Sequence, residues 1–257
     1  MAEAVTVAQL LQHTSGLAEY IQSKAFIATV TKDPTAYLSP QQVISFVRKD
    51  PLEFAPGSKY HYSDSDNIAV GLIEEAATGQ TYGGLLKSIA FGPLGMSAST
   101  LPKTVRMPQP AIDGYEVQPG KPAEDVTELI NPAGAWASGG IVSTPADLAR
   151  FLPAYVPTVL AADRKLPQPF RPGSSSPPGP GTNSAGIGIF RYQTKCGTVF
   201  GHTGSFPGYR LFIAADAAGT HGVVFAVNSQ IVPGRGNDRV AAAILSAQAQ
   251  AVCAALA

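Results

Sequence analysis

The sequence predicts an α+β fold, an antiparallel sheet flanked by helices, from three observations. Capped segments with helical spacing occupy the first part of the chain, four short apolar runs separated by turn residues lie between Gly186 and Asn228, and an alanine-rich helical stripe follows them. That order differs from the strand-helix alternation that builds a parallel α/β sheet. The 257 residues suit a single domain, 1–257, with enough chain to bury a full core.

Each element has a local reason. Thr6 ahead of Val7, Leu10 and Leu11 predicts an N-capped short helix that stops at the turn around Ser15-Gly16. Ser39-Pro40 opens a second, because proline suits the first helical position and Val43, Ile44 and Val47 recur at helical spacing. Ile68, Leu72, Ile73 and Ala76 predict a helix over 66–78, with Gly79 where a left-handed cap belongs. Residues 103–132 carry several prolines and no regular period, which predicts an extended loop or a short two-stranded excursion. Thr144-Pro145, with Asp147 in the first turn, is a capped helix start. The proline- and serine-rich stretch 165–184 predicts a mobile loop. Gly186–Tyr192, Val199–Thr203, Tyr209–Ala214 and Val223–Asn228 then read as strands of one antiparallel sheet. Asn237-Asp238 caps the last helix, whose Val240, Ile244, Leu245, Val252 and Leu256 form a stripe that packs on that sheet.

Bulk composition excludes several classes. Eighteen basic and eighteen acidic residues cancel, and no basic stripe offers a footprint for nucleic acid or an anionic membrane. No apolar run suggests a transmembrane segment of roughly 20 residues, and Met1–Thr6 lacks the basic and apolar regions of a signal peptide. The two cysteines, Cys196 and Cys253, make no zinc or redox spacing, and no metal-ligand pattern is present. They are equally readable as two buried thiols or as a disulfide worth ~4 kcal/mol, which would imply an oxidising compartment.

Candidate chemistry lies in separate motifs. Tyr62-Ser63-Asp64 sits on a loop just before the 66–78 helix, where an acid or serine alone would be only an N-cap. It has company: Leu10-Leu-Gln-His-Thr-Ser-Gly-Leu17 before it, Ser138-Gly-Gly-Ile-Val-Ser-Thr-Pro-Ala-Asp-Leu-Ala-Arg-Phe151 after it, and Phe200-Gly-His-Thr-Gly-Ser-Phe-Pro-Gly-Tyr209 last. Together, in this order and over nearly the whole chain, they resemble the serine β-lactamase and D-alanyl-D-alanine carboxypeptidase superfamily, in its class C-like branch. Such families use a Ser-x-x-Lys helix, a Tyr-x-Asn-like loop and a Lys/His-Thr-Gly strand.

The resemblance implies acyl-enzyme hydrolysis of D-alanyl peptides or related small amides and esters, without a cofactor. It assigns catalysis to Tyr62 and His202, facing each other across one cleft, with Tyr62 as proton shuttle. Substrate binding falls to Asp64, Thr203, Gly204 and Ser205, the Ser205 amide acting as an oxyanion donor. Trp136, the only tryptophan, is placed in the wall of the acyl pocket, with packing as its alternative. His13 is read as a hydrogen-bonded structural residue. A phenol of pKa ~10 is only ~0.1% ionised at neutral pH, so a basic Tyr62 needs about 4 kcal/mol of favourable field from nearby cations.

Two departures from the pattern stand out. Asp64 occupies the asparagine position, replacing a donor-acceptor amide by a carboxylate, which favours an esterase or peptidase over a β-lactamase. The Ser-x-x-Lys motif is missing, with only twelve residues ahead of His13. Thr29-Val-Thr-Lys32 and Thr100-Leu-Pro-Lys103 imitate it without a serine. The family's first strands and nucleophile helix are therefore expected to be absent, leaving an N-terminally truncated domain that is nearly or wholly inactive alone. Extracellular or cell-envelope placement follows from the family by analogy. The alternatives are a non-catalytic peptide-binding remnant of the fold, an esterase of the same superfamily, or a bare structural remnant prone to aggregate.

Overall fold

The computed structural model describes residues 5–166, 169–171, 178–230 and 236–257. The chain divides into two compact units, Met1–Arg106 with Glu128–Ser143, and Met107–Thr127 with Thr144–Ala257. Each has its own hydrophobic core.

The first unit is helical. Helix α1 (Val7–Leu11) opens with a capping box in which Thr6 accepts from the Gln9 amide and Gln9 returns the bond to the Thr6 amide. A 3-10 turn at Tyr20–Gln22 leads into α2 (Lys24–Lys32), a helix the sequence reading lacked because Ser23 makes no side-chain cap. Ser39 and Gln42 form a second capping box at α3 (Pro40–Ser45). Helix α4 (Asp64–Thr78) starts two residues earlier than its apolar period suggests, since Ser63 is the N-cap and accepts from the Ser65 amide; Gly79 closes it at φ +68°. Helix α5 (Tyr82–Leu85) widens into a π-helical segment, Leu86–Phe91, and α6 (Trp136–Gly139) follows later in the chain. Tyr20, Leu38, Val43, Val47, Ile68 and Trp136 make the core, into which Gly71 lets α4 approach α6: a Cβ there would lie 2.7 Å from the Trp136 ring.

The second unit holds the sheet. The expected excursion is present as β1 (Tyr115–Glu116) and β2 (Glu124–Asp125), antiparallel to each other. Helix α7 (Pro145–Asp163) has Thr144 as its N-cap and tolerates Pro153 and Pro157 because its stripe Leu152, Val156 and Leu160 is buried. Five strands follow: β3 (Thr182–Ala185), β4 (Phe190–Thr194), β5 (Gly197–Phe206), β6 (Tyr209–Ala215) and β7 (Gly222–Val227). They are antiparallel and ordered β3-β4-β5-β6-β7. A short β8 (Ser229–Gln230) pairs parallel with β1.

Three sequence expectations change here. The proline-rich stretch 165–184 yields β3 at its end, because Thr182–Ala185 pairs residue for residue with Gln193–Phe190; positions 167–168 and 172–177 lie outside the described residues. Asn237 stands before α8 (Asp238–Leu256) without a side-chain capping bond. The stripe of α8 is also rotated: Ala241, Ile244, Gln248 and Val252 are buried, whereas Val240 is 46% exposed. By length and apolar composition α8 is, among the described residues, the helix that could suit a membrane span; its Ala241 and Ile244 pack on Phe225 of β7.

Cys196 and Cys253 are bonded, tying the β4–β5 turn to the last turns of α8 and closing a loop of 57 residues. Removing a cross-link over a loop of that length costs about 4 kcal/mol in the chain-entropy account. Reduction, or the Cys196→Ser/Cys253→Ser double variant, is therefore expected to lower the unfolding free energy by about 2–4 kcal/mol, read from denaturant titrations with and without reductant. Coincident curves would show that α8 docks without the tether.

Candidate active site

Tyr62 and Asp64 belong to the first unit, and a buried scaffold holds them. The segment His13–Gly16 runs beside the loop 53–66 and is stitched to it by backbone bonds: Glu53 N to Gly16 O (2.8 Å), Gly57 N to Thr14 O (2.7 Å) and His61 N to His13 O (2.9 Å). Gly16 must be glycine, since it has φ +81° and a Cβ would sit 2.4 Å from the Phe54 carbonyl oxygen. The side chains add a second layer. Asp66, fully buried, receives the Ser15 hydroxyl at 2.5 Å and lies 3.1 Å from Nδ1 of His13, itself 4% exposed. The His13 ring packs on the Tyr62 ring at 4.3 Å between centroids. His13 is structural, as its turn chemistry suggests, and its φ of +52° is held by this surround.

Glu19 is the functional-loop residue that sequence reading missed. Its carboxylate is 6% exposed, accepts from the Asp64 amide at 2.5 Å and from the Ile21 amide at 3.2 Å, and so caps α4 from another element. One residue after Asp64, the Ser65 hydroxyl donates to Ala18 O (2.7 Å) and accepts from the Tyr20 amide (2.9 Å). A carboxylate 45 residues from the helix it caps leaves no local pattern.

The electrostatics of the loop run against a basic phenol. Burial, then the Asp64 carboxyl, holds the Tyr62 phenol well above its usual range, although Asn67 bonds to it. Burial and then Glu19 raise Asp64 to about 7, opposed by its bond with Tyr62. Glu19 and Asp66 are both raised by desolvation. The field expected to ionise Tyr62 is thus absent among this chain's described residues, and the phenol keeps its proton.

Trp136 lies in the same unit as a core residue, 9% exposed, at φ +36°, its ring 4.9 Å from that of Tyr82. Its contacts are those of packing. Thr29 and Lys32 form the last turn of α2, where the Thr29 hydroxyl is spent on the Ala25 carbonyl at 2.8 Å.

His202, Thr203, Gly204 and Ser205 lie on β5 of the second unit. The two registers of β5 are unequal. β6 accompanies it from Phe200↔Ala215 to Phe206↔Tyr209, whereas pairing with β4 stops at Phe190↔Gly201. Among the described strands, residues 202–206 are therefore paired by β6 alone, and the Tyr192 hydroxyl reaches the Thr203 backbone. Gly201 stands where the overhang begins: a Cβ there would lie 1.9 Å from the Ile213 carbonyl oxygen, so only glycine fits. The His202 ring stands edge-on to Phe190 at 5.0 Å, and its Nδ1 bonds the Thr203 carbonyl, which makes Nδ1 the protonated nitrogen. The Ser205 hydroxyl accepts from Gln230 Nε2 at 3.2 Å.

A sheet with one overhanging His-Thr-Gly strand, and a helical unit presenting a Tyr-x-Asp loop, are the parts of a β-lactamase fold of the kind seen in penicillin-binding-protein-like relatives. The Beta-lactamase family pattern matches residues 2–248, and the chain belongs to that family. It is similar to the putative penicillin-binding protein PbpX of Bacillus subtilis (strain 168), with 25% identity over 230 residues, 89% of this chain and 52% of that protein. Among solved structures, a D-stereospecific amidohydrolase from Streptomyces sp. superimposes with a TM-score of 0.78 at 26% identity, covering 96% of this chain and 73% of that one. The D-amino acid amidase from Ochrobactrum anthropi SV3, complexed with D-phenylalanine, gives 0.66 at 26% identity over 87% and 64%. The chain spans about half the length of PbpX.

Replacing His13 by alanine leaves the buried Asp66 carboxylate with Ser15 as its remaining side-chain partner and unpacks the Tyr62 ring. The expected cost is about 3 kcal/mol, read by urea unfolding. A change under 0.5 kcal/mol would mean that the loop is held by its backbone bonds alone.

Proposed function

We propose that this protein serves serine-type acyl transfer on D-alanyl peptides or related amides and esters, supplying substrate recognition and proton-handling groups. The observation that carries the reading is the β5 overhang, where β6 alone among the described strands pairs with a segment carrying His202, Thr203 and Ser205, a setting suited to an extended peptide-like ligand. The family membership and the D-specific hydrolases among its structural relatives support the ligand class. The Ser205 amide is assigned as oxyanion donor, Thr203 and Gly204 as the substrate edge, and His202 as the polarising group beside it. Tyr62, kept protonated by its surroundings, is assigned as a proton donor to the leaving group rather than as the initial base.

No Ser-x-x-Lys occurs within the 257 residues. Loss of a serine nucleophile costs about a millionfold in turnover in a well-studied hydrolase, against ~10² to 10³ for one oxyanion donor. These 257 residues alone are therefore assigned binding with little or no turnover. An extracellular or cell-envelope setting is supported by the Cys196–Cys253 bond, since disulfides persist where conditions oxidise.

The test is a pair of measurements on the 257-residue chain. Calorimetry with D-alanyl-D-alanine is expected to give saturable binding, and a fluorescent penicillin is expected to leave no covalent label on a denaturing gel. Covalent labelling would place a nucleophile within these residues and overturn the inactivity. Absence of binding would overturn the ligand class.

A further inference from the structure

The Tyr62 loop concentrates carboxyl groups that pair with no lysine or arginine among the described residues, His13 and His61 acting on Asp66 alone. Glu19 and Asp66 are 6% and 0% exposed, and Asp64 lies between them with its amide on Glu19 Oε2 at 2.5 Å. The groups facing this knot are Glu19 and Tyr20 from the 3-10 turn, His13 from the preceding segment, Tyr60 and Tyr62 from the loop, and Asp66 from α4 itself. Among the described residues no lysine or arginine forms an ion pair with any of the three acids, and His13 is committed to Asp66.

Helix α4 gives no further relief. Its positive N-terminal end would reward one anion, but the Glu19 carboxylate and the Ser63 hydroxyl already occupy the Asp64 and Ser65 amides. A second full negative charge at Asp64 is therefore next to a buried carboxylate, beneath an un-ionised phenol, with its cap position filled. The cheaper arrangement keeps a proton on Asp64, a residue that is half-buried and not sealed off from solvent.

We propose that Asp64 works as a carboxylic acid that imitates the amide it replaces: one oxygen accepts, including from the Tyr62 hydroxyl, and the other presents an O–H donor to the substrate. The apparent departure from the Tyr-x-Asn pattern then conserves donor and acceptor while making recognition depend on a proton. This rests on the ligand class proposed above. The direction of the pH effect follows from Asp64 being raised to about 7: the donor is present below neutrality and is lost as pH rises through that value, leaving an acceptor-only carboxylate.

Two readouts separate the proton from the ligand. Carboxyl carbon NMR of the intact chain, with Asp64→Asn to assign the signal, is expected to show Asp64 titrating near neutrality; a midpoint below pH 5 overturns the proposal whatever binds. Calorimetry with D-alanyl-D-alanine is expected to show about a tenfold loss of affinity between pH 6 and 8, the loss of protonated acid about a group titrating at 7, and less than twofold change in Asp64→Asn. Equal pH dependence in both chains overturns Asp64 as the donor. A near-neutral carboxyl titration with no binding by either chain supports the protonated acid and instead overturns the ligand class. If Asp64→Asn fails to fold, lowering the pH still protonates Asp64 in the unaltered chain, and a flat affinity profile overturns the proposal.

Discussion

The knot of His13, Ser15 and Asp66 is the constraint on which the Tyr-x-Asp loop depends. A fully buried carboxylate is tolerated only when its lone pairs are met, and here a hydroxyl and an imidazole from a segment some fifty residues earlier meet them. The bonds act in both directions. They fix Asp66 and with it the first turn of α4, and they fix the His13–Gly16 turn, whose carbonyls receive three amides of the loop leading to Tyr62. The phenol therefore stands between a helix start and a strained histidine, packed at a tilt on the latter's ring. Glu19 completes the arrangement by capping α4 with a charge, and its cost is that it raises its neighbour Asp64.

Much of this architecture was legible in the sequence because helix ends are local chemistry. Thr6, Ser39-Pro40 and Thr144-Pro145 each satisfy orphan amides from within four residues, and Gly79 adopts the left-handed conformation its position suggests. Three of the four strands around the His-Thr-Gly motif were equally legible, whereas the run Gly186–Tyr192 spans the β3–β4 turn at 186–189 and the start of β4, because its apolar residues Ile187 and Ile189 sit in a turn and not on a strand. What escaped reading was non-local. Helix α2 begins without a side-chain cap, β3 hides at the end of a proline-rich stretch and is defined only by its partner β4, and the cysteine pairing needs two elements brought together.

The site shows the same division. Residue types and their order single out Tyr62, Asp64 and His202–Ser205 as candidates, whereas the protonation of such groups depends on neighbours no spacing rule reveals. Tyr62 is the clearest example. Its motif suggested a base in need of a positive field, yet burial, and then the neighbouring Asp64, Tyr60 and Glu19, drive the phenol the other way. Trp136 was ambiguous between pocket and core for a similar reason: its environment is set by Gly71 and Tyr82, far from it in sequence.

The β5 overhang gives the strand motif its physical meaning. Gly197–Val199 pair with β4, Phe200 and Gly201 are paired on both sides, and beyond Gly201 β6 alone continues among the described strands. Gly201 is placed at this transition by the close passage of the Ile213 carbonyl, which any side chain would push away. Displacing β6 there would shift the register of every following pair, from His202↔Ile213 to Phe206↔Tyr209. The glycine thus secures the edge of His202–Phe206 that pairs with β6. A histidine whose Nδ1 bonds the next carbonyl further stiffens the same backbone. A strand held this firmly along β6 is one that can meet an extended ligand without reorganising first.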